Sequence, residues 1–197
     1  MYEYFKGKLS QLEPTQAVVE CGGVGYLLEI TLNTYEALRR SQTDVVCLYA
    51  HHVVREDAQQ LYGFSDLAER SMFRLLVSIS GVGNQTARVI LSSLTVDELR
   101  NAISTGDARR VQQVKGIGAK TAQRIVLELA DKMAGTVATG GAATGRAPER
   151  DEAITALITL GYAKAAVEKL LLSEQWVRPD GSAMSVEEII KEALHRL

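Results

Sequence analysis

Cysteine is scarce in this chain, and the two present, Cys21 and Cys47, sit in strand-like runs without metal-ligand spacing. That argues against a disulfide framework or a zinc site and makes both reduced core residues. No apolar run approaches the roughly 18 residues of a membrane span, and no basic-then-apolar leader opens the sequence. The expectation is a cytoplasmic protein with no membrane contact. A Gly-x-x-x-x-Gly-Lys-[Ser/Thr] phosphate loop is missing too, which argues against ATP hydrolysis by this chain, and no cofactor is expected. His51 and His52 are adjacent, and neighbours on a strand point to opposite faces, so they make a poor metal pair. No metal site is expected.

A basic excess is also lacking. The 22 Lys and Arg against 24 Asp and Glu leave a net charge of −2, which seen alone disfavours a polyanion ligand. A whole-chain sum hides distribution, however. Residues 1–64 carry 5 basic and 8 acidic side chains, residues 65–135 carry 10 and 7, and residues 136–197 carry 7 and 9. Only the middle segment is basic.

That segment contains a repeat. Ile79-Ser80-Gly81-Val82-Gly83-Asn84-Gln85-Thr86-Ala87 and Val114-Lys115-Gly116-Ile117-Gly118-Ala119-Lys120-Thr121-Ala122 match at Gly, aliphatic, Gly, Thr and Ala, 35 residues apart. Each lies between helix-like stretches. Glycine permits positive φ and close approach, and the helix that follows opens with unpaired N–H groups and a positive dipole end, which together suit a phosphate oxygen. A single Gly-x-Gly is often only a turn between helices, and Gly23-Val24-Gly25 is such a decoy, flanked by strand-like alternation. Two matching copies in a helical context define a tandem helix-hairpin-helix, whose usual work is sequence-independent binding of the DNA backbone. Lys120 and Arg124, four apart, flank the second copy; Gln85 and Arg88 flank the first. The second copy is expected to be the stronger anchor.

The pattern before this segment is short and alternating, with strands near 2–10, 15–21, 25–31, 45–54 and 58–63 and one helix at 34–40, for which Asn33 and Glu36 resemble a capping box. Five strands and this helix suggest a small OB-type barrel. Between the last two strands lies a charged tip, Arg55-Glu56-Asp57, which is either a solvated turn or, if it faces a polyanion, a repulsive guide. From Ser65 the period becomes helical. Asp66 with Glu69 can cap the first helix; further helices are expected at 84–93, at 96–104 with a Thr95/Glu98 capping box and a stop at Gly106, at 107–113 and at 119–132. Residues 134–150 offer almost nothing to bury and read as a flexible linker of roughly 20–25 Å root-mean-square span. Residues 151–197 read as three helices, with a Ser185/Glu188 capping box, a turn at Leu160-Gly161-Tyr162, and Trp176 as a core residue or docking anchor. A module this small suits partner docking better than catalysis.

The order and spacing of Gly22-Gly23-Val24-Gly25-Tyr26, Val53-Val54-Arg55-Glu56-Asp57-Ala58-Gln59, Leu61-Tyr62-Gly63-Phe64, the two hairpins and Ala156-Leu157-Ile158-Thr159-Leu160-Gly161-Tyr162 resemble the RuvA family of bacterial Holliday-junction branch-migration subunits over essentially the whole chain. The resemblance implies an α+β multidomain protein. Residues 1–64 would form a five-stranded OB-type barrel, 65–133 an all-α tandem helix-hairpin-helix domain, 134–150 a flexible linker, and 151–197 a three-helix, UBA-like domain. It further implies a non-catalytic scaffold for recombination and repair that binds four-way junction DNA as a homotetramer, or as two facing tetramers, and recruits a hexameric RuvB-type ATPase. The junction-resolving nuclease RuvC is a further implied partner. On this resemblance Gly81, Val82, Gly83, Gln85, Arg88, Gly116, Ile117, Gly118, Lys120, Thr121 and Arg124 bind DNA, Arg55, Glu56 and Asp57 form an acidic pin, and Leu157, Leu160 and Tyr162 dock the motor. Gln85 and Ala119 stand where the family commonly has lysine, which removes charge-assisted phosphate contacts.

Two other readings stay open on the residues alone. A glycosylase or nuclease needs a base pocket with a positioned Lys or Asp, or clustered carboxylates for metal, and neither constellation is visible. A protein-interaction adaptor would use the hairpins as plain turns.

Overall fold

Alternating apolar residues close the N-terminal strands into a barrel. The structure, a computed structural model, describes residues 1–137, 148–173, 176–178 and 182–197. It forms two compact units, Met1–Ala134 and Gly135–Leu197. Strands β1 (Tyr4–Glu13), β2 (Gln16–Cys21), β3 (Val24–Ile30), β4 (Val45–Val54) and β5 (Gln59–Phe64) pair in the order β1-β2-β3-β5-β4 and close on themselves. Every seam is antiparallel except β3–β5, which runs parallel and pairs only Glu29 with Tyr62 and Ile30 with Gly63. Phe5, Ala17, Val19, Leu28, Ile30, Val46, Leu48 and Ala50 fill the interior. Strand β1 extends beyond residue 10, the expected end, because past a bulge between Leu9 and Gln11 it keeps pairing with β2 as far as Glu13,. At Gly7 a Cβ would lie 2.0 Å from the Glu20 carbonyl oxygen, so the β1–β2 crossing admits no side chain there. Cys21 and Cys47 are free thiols, half-buried rather than in the core.

Helix α1 (Leu32–Arg40) spans the barrel between β3 and β4, and its N-cap corrects the expectation placed on Asn33. Thr31 caps it, accepting from the Thr34 N–H, while the Asn33 amide donates to the carbonyls of Leu91 (2.6 Å) and Leu94 (3.1 Å). Helices α2 (Leu67–Val77), α3 (Asn84–Ser93), α4 (Val96–Ser104), α5 (Ala108–Gln112) and α6 (Ala119–Val137) follow. Their common core includes Tyr62 and Phe64 of β5 together with Phe73, Leu76, Ile90, Leu91, Leu99, Ile125 and Leu129, so the helical layer packs directly on the barrel. The Thr95/Glu98 capping box is formed and Gly106, at φ +70°, follows the end of α4,.

In the second unit α7 (Pro148–Thr159), α8 (Lys164–Ser173) and α9 (Val186–Leu194) surround Ala153, Ile154, Leu157, Val167, Leu171, Trp176, Ile189 and Ala193. Trp176 is thus a core residue, with Arg196 over its ring at 5.4 Å. The Ser185/Glu188 capping box is present, and Arg178 together with the Ser185 N–H holds the Glu188 carboxyl down to a pKa of about 2. Of the segment expected to be a linker, α6 takes residues up to Val137 and α7 those from Pro148; 138–147 lie outside the described residues.

Candidate nucleic-acid interface

The two hairpins share one backbone. Gly81 and Gly116 both sit at φ +89°, a left-handed conformation that costs an L side chain about 1–2 kcal/mol. The Val82 N–H donates to the Ile79 carbonyl at 3.0 Å and the Ile117 N–H to the Val114 carbonyl at 3.1 Å. One turn on, Ala87 bonds Gly83 and Ala122 bonds Gly118, each at 2.9 Å. Val82 and Ile117 are buried plugs that fix each hairpin to the helical core, while all four glycines are exposed.

The second glycine of each hairpin has a different reason from the first. Gly83 has φ −83°, open to any residue, and a Cβ at Gly83 or Gly118 would meet no atom within 4 Å. Nothing in the fold requires glycine at either position. What glycine does there is leave bare backbone at a helix start. No side chain caps α3 at Gly83, and Gly118 likewise has none to offer α6, so the first-turn N–H groups are left without a capping side chain,. This is the geometry an anionic oxygen needs.

The basic side chains divide. Lys120 is exposed and, among the described residues, its ammonium has no hydrogen bond or ion pair. Arg124 is exposed but bonds Glu128 at 2.6 Å, a surface pair of small worth that a phosphate can displace,. Thr121 is half-buried beside them, and Gln85 is exposed at the corresponding end of the first hairpin. Arg88 is engaged within the chain. Its guanidinium forms an ion pair with Glu29 of β3 and reaches the Thr15 carbonyl at 3.4 Å, with 13% of its side chain exposed. Burial lowers its pKa from the usual arginine value. Arg88 thus joins α3 to the barrel.

Arg88 belongs to a polar seam that local patterns do not reveal. Glu69, which with Asp66 was expected to cap α2, has its backbone N–H on the Asp66 carboxylate at 2.7 Å, but its own carboxylate is buried and accepts from the hydroxyls of Thr31 (2.5 Å) and Thr34 (2.7 Å). Burial raises its pKa, and the two hydroxyls offset part of that,. Arg70, also buried, forms an ion pair with Glu3 and donates to the Glu3 carbonyl at 2.9 Å. The Arg70 hydrogen bond holds the Glu3 carboxyl below its usual range. Together with Asn33 these residues fix the hairpins relative to β4 and β5.

The charged tip is therefore held in place. It is the turn of the β4–β5 hairpin, closed by the Arg55 N–H on the Ala58 carbonyl at 2.8 Å, and Arg55, Glu56 and Asp57 are all exposed. Below it the two faces of the ribbon differ. His51 meets Phe73 edge-on at 5.3 Å, and burial with Arg74 and Arg70 nearby keeps its pKa low, so it is a neutral packing residue. His52 faces the other way, with Tyr2 at 5.2 Å. Among the described residues no group of three or more His, Cys, Asp or Glu is placed to hold a metal, and no helix is long and apolar enough to cross a membrane.

In the second unit Leu160 is 63% and Tyr162 38% exposed, side by side at the α7–α8 turn, where Gly161 has φ +102°. Leu157 is fully buried. It supports this turn from the core, accepting from the Tyr162 N–H through its carbonyl at 3.2 Å.

Family models match in the same order as these features: the RuvA N-terminal domain over residues 1–63, the SAM-like helix-hairpin-helix tandem over 73–131, and the RuvA C-terminal domain over 148–197. The chain belongs to the RuvA family. Among its relatives the RuvA proteins of Bacteroides thetaiotaomicron and Bacteroides fragilis are 46% and 47% identical, and that of Flavobacterium psychrophilum 39%, each aligned over 100% of both chains. All three bear the name Holliday junction branch migration complex subunit RuvA.

Proposed function

We propose that this RuvA-family chain is the non-catalytic DNA-binding subunit of a branch-migration complex. It binds four-way junctions in recombination and repair, and a RuvB-type hexameric ATPase supplies the work. The observation that carries this reading is the pair of second glycines, Gly83 and Gly118, which the fold does not need and an approaching phosphate backbone does,. Backbone N–H groups at both hairpins grip phosphates. Lys120 and Arg124 add charge at the second, making it the stronger anchor, while Gln85 leaves the first reliant on its backbone. Glu56 and Asp57 act as a pin that repels strands passing the tip. Leu160 and Tyr162 form the motor-docking edge. Four copies assemble as a tetramer around one junction, alone or facing a second tetramer, with room for a resolving nuclease of the RuvC type.

The test is affinity for a four-way junction against linear duplex of equal length, measured across salt. The expected result is strong preference for the junction at physiological salt, with a steep salt slope. Lys120→Ala with Arg124→Ala should weaken binding and reduce that slope by about 2. Equal affinity for junction and duplex would overturn the reading, and an unchanged affinity in the double variant would favour a protein adaptor.

A further inference from the structure

The β3–β5 seam pairs for only two residues, and where the strands part an open groove of about 250 Å³ forms, lined by Tyr2, Leu27, Glu29, His52, Gln59, Gln60 and Leu61. Its place in the chain matters. His52 lies opposite Leu61 and Val54 opposite Gln59 in the β4–β5 ribbon, so one face of that ribbon runs from the groove to the pin turn at residues 55–58. The groove is the foot of the pin.

Its walls are aromatic. Tyr2 stands against Phe5 (5.1 Å), Tyr26 (6.3 Å) and His52 (5.2 Å), yet remains 43% exposed, and Leu27 is 53% exposed. Gln59 puts an amide, which both donates and accepts, at the rim; the Gln60 side chain lies on the ribbon's other face, where its amide oxygen accepts from the Tyr62 hydroxyl at 3.2 Å,. The carboxylate in the lining, Glu29, is neutralised by its ion pair with Arg88 and does not repel an anion. The volume is below the roughly 300–1,000 Å³ of pockets for drug-sized ligands, a size for one flat ring. Neither the pin nor the hairpins use any of these side chains.

We propose that this groove holds a single unpaired nucleobase, stacked on Tyr2 and His52 and contacted at its edge by Gln59, taken from a strand that the pin has parted from its complement. The proposal rests on the junction-binding reading above. A strand passing Glu56 and Asp57 loses a pairing partner at the place where this platform begins, and aromatic stacking at single-stranded sites is worth about 1–3 kcal/mol per base without regard to sequence.

The full-length chain is tested on two four-way junctions, one fully paired and one with a mismatched 2-aminopurine at the crossover. The wild type is expected to bind the mismatched junction more tightly by about tenfold, within the range that stacking supports, and to quench the 2-aminopurine. Tyr2→Ala with His52→Ala should abolish both effects and keep the affinity for the paired junction, which reports an intact fold. Tyr2→Phe with His52→Phe should restore them. If paired-junction affinity is normal but the mismatch gives no preference or quenching, or the Ala variant keeps them, the base site is wrong and the junction reading stands. If the wild type binds neither junction, both fall together.

Discussion

Arg88 and Lys120 show how far one side chain's role depends on what it meets. Both follow a Gly-x-Gly hairpin in a basic segment, and from sequence both are phosphate ligands. Arg88 has an ionic partner of its own, Glu29 on β3, and is mostly buried with it; Lys120 is exposed and has none among the described residues. Removing Arg88 leaves the Glu29 carboxylate partly desolvated and unpaired, which costs about 1–3 kcal/mol. Arg88→Ala is therefore expected to lower the melting temperature by several degrees, at about 2–4 °C per kcal/mol for a unit of this size, and to leave the salt slope of junction binding unchanged. Lys120→Ala should do the reverse, with no loss in thermal stability and a slope smaller by about 1. Thermal melts and salt titrations on the two variants check this. A reduced slope for Arg88→Ala would return that residue to the DNA surface.

At the scale of elements, the two glycines of a hairpin are separable. Gly116 sits at φ +89° and is needed by the turn itself; Gly118 has no such φ and open space where a Cβ would be. Gly116→Ala should cost about 1–2 kcal/mol in stability. Gly118→Ala should leave stability unchanged or raise it by up to about 1 kcal/mol through the unfolded chain, yet weaken junction binding at least fivefold by placing a methyl group where a phosphate comes close. Denaturant unfolding and binding on the same preparations distinguish the two; a Gly118→Ala protein with full affinity would remove close backbone approach from the account. Elements governed by neighbours in sequence were legible: α3 at Asn84–Ser93, α4 with its Thr95/Glu98 box, and the β2–β3 turn at Gly22-Gly23. The seam between barrel and helices was not, because Asn33, Glu69, Arg70 and Arg88 find partners between 20 and 73 residues away, beyond any local periodicity. The burial of Leu157 was not legible for a related reason. It lies one helical turn from exposed Leu160, and hydrophobic spacing does not say which of two such leucines the core has taken.

Over the whole molecule, charge of opposite sign is divided between hairpins and tip on one rigid frame. In the proposed function, attraction at the hairpins sets affinity and the tip acts as a repulsive pin. Repulsion at Glu56 and Asp57 is screened beyond roughly 8 Å at physiological salt, so the tip acts only on strands that pass close to it and cannot oppose binding at a distance. The β4–β5 ribbon is tied to α2 at its base through Arg70, Arg74 and the Phe73 contacts. Glu56→Gln with Asp57→Asn keeps the shape of the turn and removes both charges. Junction affinity is then expected to stay equal or rise by up to about tenfold, affinity for duplex to rise more, and motor-driven branch migration to change in rate, since strands at the crossover are no longer pushed apart. Competition binding of junction against duplex at two salt concentrations reads the first two outcomes, and strand-exchange assays with the ATPase read the third. Clearly weaker junction binding in this variant would mean that the carboxylates contact the DNA favourably, through its bases or through bound cations, and the tip would then be a ligand and not a wedge.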